Sequence, residues 1–169
     1  GSGSRFGGAL PKQFTKLAGK AVIEYTIDVF EQSKFIDEIL IVAQAAHIER
    51  TLDLVKNNKW KKVSRVISGG DERFDSTYSA LTALKSNDDE CKVLFHDAVR
   101  PLVTQQIIED CIDTLDNFEA IDVVIPSADT IVEVYDDGCI SNIPNRSMMR
   151  RGQTPQGFRL GSIQEAYRL

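Results

Sequence analysis

The sequence predicts an α/β protein: a Rossmann-like, open, mostly parallel sheet with helices on both faces, plus an antiparallel β-hairpin arm. Two observations predict this class. Short apolar runs alternate along the chain with segments whose apolar residues recur every three or four positions, which gives the order strand, helix, strand, helix. The runs are too apolar to face water, so helices are expected to cover both sides of the sheet.

The first elements follow from these patterns. Residues 19–33 form an amphipathic helix because Val22, Ile23, Ile27 and Phe30 lie at helical spacing. The remaining segments, in chain order, are a strand at 36–43, a helix at 46–58, a strand at 63–67, a helix at 72–85, a strand at 92–95, a helix at 104–115, a strand at 122–126 and a final helix from residue 162. Thr104 is the predicted N-cap of its helix.

The pattern changes after Pro126. Residues 130–134 alternate, Asp136–Asp137–Gly138 is a turn signal, and residues 139–143 form a return strand. The arm, at about 129–146, is therefore an antiparallel hairpin attached to the parallel sheet. From the residues alone, packing on a partner subunit and a simple surface ornament remain open.

Composition bounds the class of protein. A chain of 169 residues with 42% hydrophobic and 27% charged residues fits a single globular domain, here 1–169. A net charge of −5 argues against a nucleic-acid binder that works by bulk electrostatics. No apolar run is long enough to span a membrane, and no signal-peptide pattern opens the sequence.

The numbers and spacings of the cysteines and histidines limit the kinds of metal site and disulfide that the chain can form. Three widely spaced cysteines, at positions 91, 111 and 139, are odd in number and lack metal-ligand spacing, which predicts reduced thiols in a cytoplasmic protein. Two histidines exclude a site built from several histidines.

The first fourteen residues are rich in glycine and carry two cations, Arg5 and Lys12. Glycines let backbone N–H groups turn toward an anion, and the cations supply charge-assisted hydrogen bonds to phosphate oxygens. The run lacks the Gly-Lys-Ser/Thr ending of a P-loop, so an ATPase of that kind is not supported. An apolar strand is expected before such a loop, yet the sequence opens on the loop itself.

Polar residues follow two of the predicted strands, where ligands of open parallel sheets bind. Gly69–Gly70–Asp71 leads into a helix N-terminus whose amides suit an anion or the polar edge of a base, although a glycine turn chosen for geometry alone explains it equally. Asp97 suits Mg²⁺, and the alternative is a carboxylate that caps the turn with Arg100. His96 fits a packing or hydrogen-bonding role better than that of a base.

Arg146, Arg150 and Arg151 form a basic patch beyond the arm, close in sequence to Thr154. Such a patch is usually a solvated surface. Its proximity to a hydroxyl also suits capture of a monophosphate ester, so both readings stay open.

Taken in order, the motifs resemble the sugar-alcohol-phosphate cytidylyltransferases. They run through the whole sequence and are listed here: Gly1-x-Gly3-x-Arg5, Pro11–Phe14, Gly69-Gly70-x-x-Arg73-x-x-Ser76, His96–Pro101, Asp129–Thr130, Asn145–Arg146 and Gln153–Gln156. The family includes enzymes that act on 2-C-methyl-D-erythritol 4-phosphate and on ribitol 5-phosphate. The resemblance implies CTP, a polyol phosphate and Mg²⁺ as ligands.

The resemblance also implies roles for individual residues. Arg5 and Lys12 would hold the triphosphate and stabilise charge at the α-phosphorus, and the amides of Gly1 and Gly3 would approach the same phosphates. The remaining implied roles are base and ribose recognition by Gly70, Asp71 and Ser76, a metal ligand in Asp97, and acceptor-phosphate binding by Thr130, Arg146 and Thr154. Thr130 and Arg146 would reach into the neighbouring subunit of a homodimer.

The sequence departs from the family pattern at both ends, because the strand before Gly1 and a C-terminal segment are missing. The Val99 in His-Asp-Ala-Val-Arg-Pro and the run from Asp129 to Glu133 resemble the ribitol-phosphate branch more than the methylerythritol branch, and this resemblance implies ribitol 5-phosphate as the acceptor. Two further readings remain: a nucleotidyltransferase that uses UTP or another NTP on a sugar 1-phosphate, and a catalytically inactive nucleotide-binding module.

Overall fold

The computed structural model describes residues 10–84, 86 and 88–168. Five helices lie in these residues: α1 (Val22–Gln32), α2 (Ile48–Asn58), α3 (Arg73–Ala83), α4 (Gln105–Thr114) and α5 (Leu160–Arg168). The strands are β1 (Lys16–Leu17), β2 (Lys20–Ala21), β3 (Ile39–Ala43), β4 (Val63–Ser68), β5 (Lys92–Phe95), β6 (Ala120–Pro126), β7 (Glu133–Val134), β8 (Ile140–Asn142) and β9 (Arg150–Arg159).

The elements predicted from apolar periodicity are present, with ends that shift by a few residues. Thr104 is the N-cap of α4, and its hydroxyl accepts a hydrogen bond of 3.2 Å from the Ile107 N–H. The last helix begins at Leu160 rather than at Ser162. Periodicity locates an element well, but the exact end depends on capping contacts that the pattern does not contain.

The α/β class is confirmed, and the sheets are mixed. β3 and β4 pair in parallel, whereas β9 lies between β5 and β6 and runs antiparallel to both. The sequence analysis assigned no element to 150–159, because this strand is built mainly of polar and small residues. Gly157 is required there, since a Cβ would lie 2.8 Å from Ile121 Cγ1 and 2.9 Å from Leu94 Cδ2.

Apolar side chains cover both faces of β5. Leu94 packs with Phe30 of α1 and Ile108 of α4, whereas its neighbours Val93 and Phe95 pack against a cluster formed by α3 and α5. Alternate residues of a strand point to opposite faces, so helices lie on both sides, as predicted. A further cluster joins α1 to β3 and to the segment before β1 through Phe14, Ile41 and Trp60.

The predicted hairpin arm is present. β7 and β8 pair antiparallel, with Val134 opposite Ile140, and Gly138 takes a φ of +85° in the turn. All residues from 128 to 143 are exposed, and Val134 and Ile140 are 60% and 62% exposed. The arm therefore carries apolar side chains that the described part of the chain leaves uncovered.

Across the described ranges, no helix has both the length and the apolar character needed to cross a bilayer.

We expect Ile108→Ala to lower the free energy of unfolding by about 3 kcal/mol, because its 0%-exposed side chain would leave a cavity in the α1–α4 core. Urea titration followed by circular dichroism measures this loss. Leu102→Ala is the matched control, since Leu102 is 89% exposed and should change stability little. Equal losses in both variants would contradict the assigned core.

Candidate active site

Three segments meet at the carboxyl ends of β4 and β5: the turn at Gly69–Gly70, the loop that begins at His96, and a bulged part of β9. Asp122 of β6 pairs with Gln156, and Val124 pairs with Gly152, so β9 takes four residue steps where β6 takes two. The pairing of β5 with β9 stops at Phe95 and Gln156. The bulged residues therefore lie next to the loop that follows β5.

The Thr154 hydroxyl joins β9 to this loop. Its oxygen accepts a hydrogen bond of 3.2 Å from the Asp97 N–H and lies 3.0 Å from His96 Nδ1. The other ring nitrogen, His96 Nε2, lies 3.0 Å from the Arg100 carbonyl oxygen. A carbonyl can only accept, so Nε2 carries the proton of the neutral ring and Thr154 donates its own proton to Nδ1.

The surroundings of His96 favour this neutral form. Burial lowers the pKa of His96, and the hydrogen bond to the Arg100 carbonyl and the charge of Asp97 oppose the shift without reversing it. The His96 ring also packs against the Phe30 ring, with 5.0 Å between centroids. The placement fits the predicted packing and hydrogen-bonding role of His96.

Thr154 and His96 do not make a nucleophile–base pair open to substrate. Thr154 is only 7% exposed, and its hydroxyl already accepts from Asp97 and donates to His96. The geometry instead holds the Asp97 backbone in place. The implied contact between Thr154 and an acceptor phosphate stays a prediction.

Asp97 lies between two arginines. Arg100 Nε donates to Asp97 Oδ2 at 2.9 Å, and Arg73 Nη1 lies 3.8 Å from Oδ1. Arg100 also donates to the Gln153 side chain, and Thr26 of α1 donates to the Ala98 carbonyl oxygen at 2.9 Å. The carboxylate is thus held by Arg100 and approached by Arg73, and the loop around it is bonded to α1 and β9. The Arg100 contact predicted as the alternative for Asp97 is present.

Asp97 fits a metal ion only in part. Among the described residues, no group of three or more His, Cys, Asp or Glu side chains lies close enough to hold an ion. Mg²⁺ often takes one or two protein carboxylates and completes its shell with water and phosphate oxygens. Asp97 Oδ1 lies beyond hydrogen-bond distance of Arg73, so this oxygen can still serve as a ligand.

The turn after β4 packs closely on the first turn of α3. A Cβ at Gly69 would lie 2.5 Å from Ser76 Oγ, and one at Gly70 would lie 2.2 Å from Asp75 Cβ. Only glycine fits at these two positions. The close packing therefore accounts for both glycines, which supports the interpretation that the turn is selected for its geometry. Asp71 is exposed beside the turn and the backbone of the turn adjoins a helix N-terminus, so an anion or base edge can also be bound there.

Lys12 stands on an anchored turn, whereas Gly1, Gly3 and Arg5 lie outside the described residues. Lys12–Phe14 form a 3-10 turn closed by a 2.9 Å bond from the Phe14 N–H to the Pro11 carbonyl oxygen. Phe14 is buried, and the Arg50 guanidinium lies 4.6 Å from the centre of its ring. The Lys12 side chain is exposed and is free to reach an anion.

Thr130 and Arg146 lie at the base of the arm. Arg146 Nη1 donates to the Ala128 carbonyl oxygen at 3.2 Å, and both Thr130 and Arg146 are exposed. Within the described part of the chain, no hydrogen bond or ion pair joins either of them to Thr154. The implied contact of Thr130 and Arg146 with an acceptor phosphate stays a prediction.

The sequence analysis did not assign a role to Arg73, Gln153 or Gln156. Gln153 accepts from Arg100, and Gln156 Oε1 accepts a 2.6 Å bond from Arg73 Nη2. Both glutamines belong to the Gln-Thr-Pro-Gln run and Arg73 to the Gly-Gly motif, so the sequence analysis had already identified the motifs. The sequence could not predict the contact between Arg73 and Gln156, because 83 positions separate them.

Comparisons with known proteins show the family to which this chain belongs. The family model for IspD, 2-C-methyl-D-erythritol 4-phosphate cytidylyltransferase, matches residues 1–169. The bifunctional ribulose 5-phosphate reductase/CDP-ribitol pyrophosphorylase of Haemophilus influenzae is 48% identical over 99% of this chain and 35% of its own length. The 2-C-methyl-D-erythritol 4-phosphate cytidylyltransferase of Thermobifida fusca is 40% identical over 99% of this chain and 69% of its own length.

A solved structure of a protein with a related name has a similar fold. The 4-diphosphocytidyl-2C-methyl-D-erythritol synthase of Anaerococcus prevotii superposes with a TM-score of 0.82 at 30% identity, over 90% of this chain and 66% of that one. The chain thus spans between about a third and two thirds of the length of these three proteins. Because the family model matches every residue, the chain belongs to the IspD, or 2-C-methyl-D-erythritol 4-phosphate cytidylyltransferase, family.

Proposed function

We propose that this chain is the nucleotidyltransferase part of a CTP-dependent cytidylyltransferase. It would transfer CMP from CTP to a polyol phosphate, D-ribitol 5-phosphate in first place, to give a CDP-polyol and pyrophosphate. The observation that carries the proposal is the convergence of the Gly69–Gly70 turn, the Asp97 loop and β9 where β4 and β5 end. Membership in the family supports the reaction class.

The chemistry suits the residue types. An oxygen of the acceptor phosphate attacks the α-phosphorus of CTP, and the bond to the β-phosphate oxygen breaks as pyrophosphate leaves with the electron pair. The attacking oxygen is already an anion, so no side-chain nucleophile is required. The tasks of the protein are to bring two anions together and to neutralise charge.

The residues that the resemblance assigns to the nucleotide and the metal each have a place in this proposal. Arg5 and Lys12, with the amides of Gly1 and Gly3, would hold the triphosphate. Gly70, Asp71 and Ser76 would read the nucleoside, and exposed Asp71 beside the turn is suited to the base edge. Asp97 would ligate Mg²⁺ through Oδ1, and the metal would supply charge neutralisation at the phosphates.

Ribitol 5-phosphate is preferred because a relative named for CDP-ribitol synthesis reaches 48% identity, whereas one named for the methylerythritol substrate reaches 40%. Methylerythritol 4-phosphate is the second candidate, since the matching family model carries its name. A cytoplasmic location belongs to the same proposal, and the three free thiols at positions 91, 111 and 139 support it.

A pyrophosphate-release assay with CTP and Mg²⁺ tests this function. We expect turnover with both acceptors and a kcat/KM for ribitol 5-phosphate about 10-fold or more above that for methylerythritol phosphate, a typical selectivity for small differences in a ligand. The controls are UTP, ATP and GTP in place of CTP. A reversed acceptor preference would select the second candidate. Release with UTP alone, or no release with any of the four nucleotides, would refute the proposal.

We also propose that the chain works as a homodimer through the arm. The uncovered apolar side chains of β7 and β8 support this, because exposed apolar patches on a hairpin favour burial against a partner. In a two-fold dimer, each arm would deliver Thr130 and Arg146 to the acceptor site of the other subunit.

Mixing two inactive variants tests this arrangement. We expect Lys12→Ala and Arg146→Ala each to lower turnover by about 100-fold or more, as removal of one charge-stabilising group does. After subunit exchange, mixed dimers hold one site with both residues intact, so activity should return to about a quarter of wild type under two-fold symmetry.

The controls for this mixture are each variant alone and Lys16→Ala, an exposed cation on β1 that should keep wild-type turnover. If Arg146 served the site of its own chain, the mixture would stay inactive, and the shared-site proposal would be wrong.

A further inference from the structure

Arg73 connects two parts of the site that no backbone ladder joins within the described residues. It is the first residue of α3, and its side chain is 62% exposed. Nη2 donates to Gln156 Oε1 of β9 at 2.6 Å, and Nη1 lies 3.8 Å from Asp97 Oδ1. The planar, forked guanidinium can hold both contacts at once, which a lysine ammonium cannot do with the same geometry.

The end of α3 to which Arg73 belongs moves together with the Gly69–Gly70 turn. The contacts at Gly69 and Gly70 leave no room for a Cβ, so the turn and the first turn of α3 behave as one rigid unit. The Glu72 N–H adds a 3.0 Å bond to Asp75 Oδ2 inside this unit. Whatever fixes the start of α3 therefore also fixes the backbone amides of the turn.

The position of this unit relative to Asp97 depends on side chains. In the described residues, β4 pairs only with β3, and β5 belongs to the separate β5–β9–β6 sheet. Gln156 is the residue at which the β5–β9 pairing ends, and Thr154 two positions earlier binds the Asp97 N–H. A bond from Arg73 to Gln156 thus ties the turn to the strand that holds Asp97.

We propose that Arg73 and Gln156 form a positioning pair that sets the distance between the nucleotide-binding turn and the Asp97 loop. This inference rests on the proposed function, because the ligand of the turn is taken to be the cytidine nucleotide. Gln156 is suited to this task since it accepts from Arg73 without placing a second carboxylate beside Asp97. Both residues act through the turn and are not catalytic residues.

The alternative role for Arg73 is direct contact with the nucleotide phosphates, and Gln156 separates the two roles. If Arg73 acts through the pair, removal of the Gln156 amide reproduces the effect of removing the guanidinium. If Arg73 touches phosphate directly, the Gln156 variant binds CTP as wild type does. Together with the double variant, the two single variants form a double-mutant cycle, which measures the coupling between Arg73 and Gln156.

The experiment uses the full chain as wild type, Arg73→Gln, Gln156→Ala and the double variant, with CTP as the probe. We expect each single change to raise the KM for CTP about 5-fold with kcat within about 2-fold, and the double variant to match the single ones, as coupled neighbours do. Lys56→Gln, an exposed cation on α2, is the control and should leave both constants unchanged.

Hydrogen exchange of the ligand-free protein gives a second measurement. We expect amides in residues 68–76 to exchange faster in Arg73→Gln and Gln156→Ala alike, and at the wild-type rate in Lys56→Gln. If amide exchange in residues 68–76 is unchanged in both single variants, or if their effects on the KM for CTP add in the double variant, the proposed positioning pair is wrong. A wild-type chain that neither binds nor uses CTP would refute the proposed function, whereas the exchange rates would still decide whether the pair fixes the turn.

Discussion

The buried hydroxyl of Thr154 is the contact on which the candidate site depends. It accepts from the Asp97 N–H and donates to His96 Nδ1, while His96 Nε2–H donates to the Arg100 carbonyl oxygen. Loss of this hydroxyl would leave a buried donor and acceptor without partners, which is costly in a protein interior. The chain of hydrogen bonds therefore fixes the bulge of β9 and the loop after β5 as one structure.

This arrangement fits the proposed reaction, which requires no reactive side chain. Asp97 is held by Arg100 and approached by Arg73, and each arginine is bonded to a glutamine of β9. Fixed cations and a fixed carboxylate are what a reaction between two phosphate groups needs, because little reorganisation is then required as charge shifts. In the proposed dimer, the arm would bury its exposed apolar residues against a second copy and would supply Arg146 to the site of that copy.

The sequence predicted what local patterns encode. Apolar periodicity located α1 and β5, Thr104 was recognisable as a cap, and the rule that ligands bind at strand ends pointed to Gly70 and Asp97. Strand β9 was not predicted, because polar residues, Pro155 and two glycines give it no strand pattern. Glycine is needed at position 157 because side chains of neighbouring strands leave no room for a Cβ. The pairing of Thr154 with His96 spans 58 positions, so only the folded chain reveals it.

Nitrogen-15 NMR of the histidine rings tests this account most directly. The chain has two histidines, so His47→Gln leaves His96 as the one imidazole signal. At neutral pH, we predict a neutral ring with its proton on Nε2 and an Nδ1 that accepts a hydrogen bond, and Thr154→Val should shift Nδ1 most. A ring protonated on Nδ1, or doubly protonated at that pH, would contradict the hydrogen-bond chain that joins His96, Thr154 and Asp97.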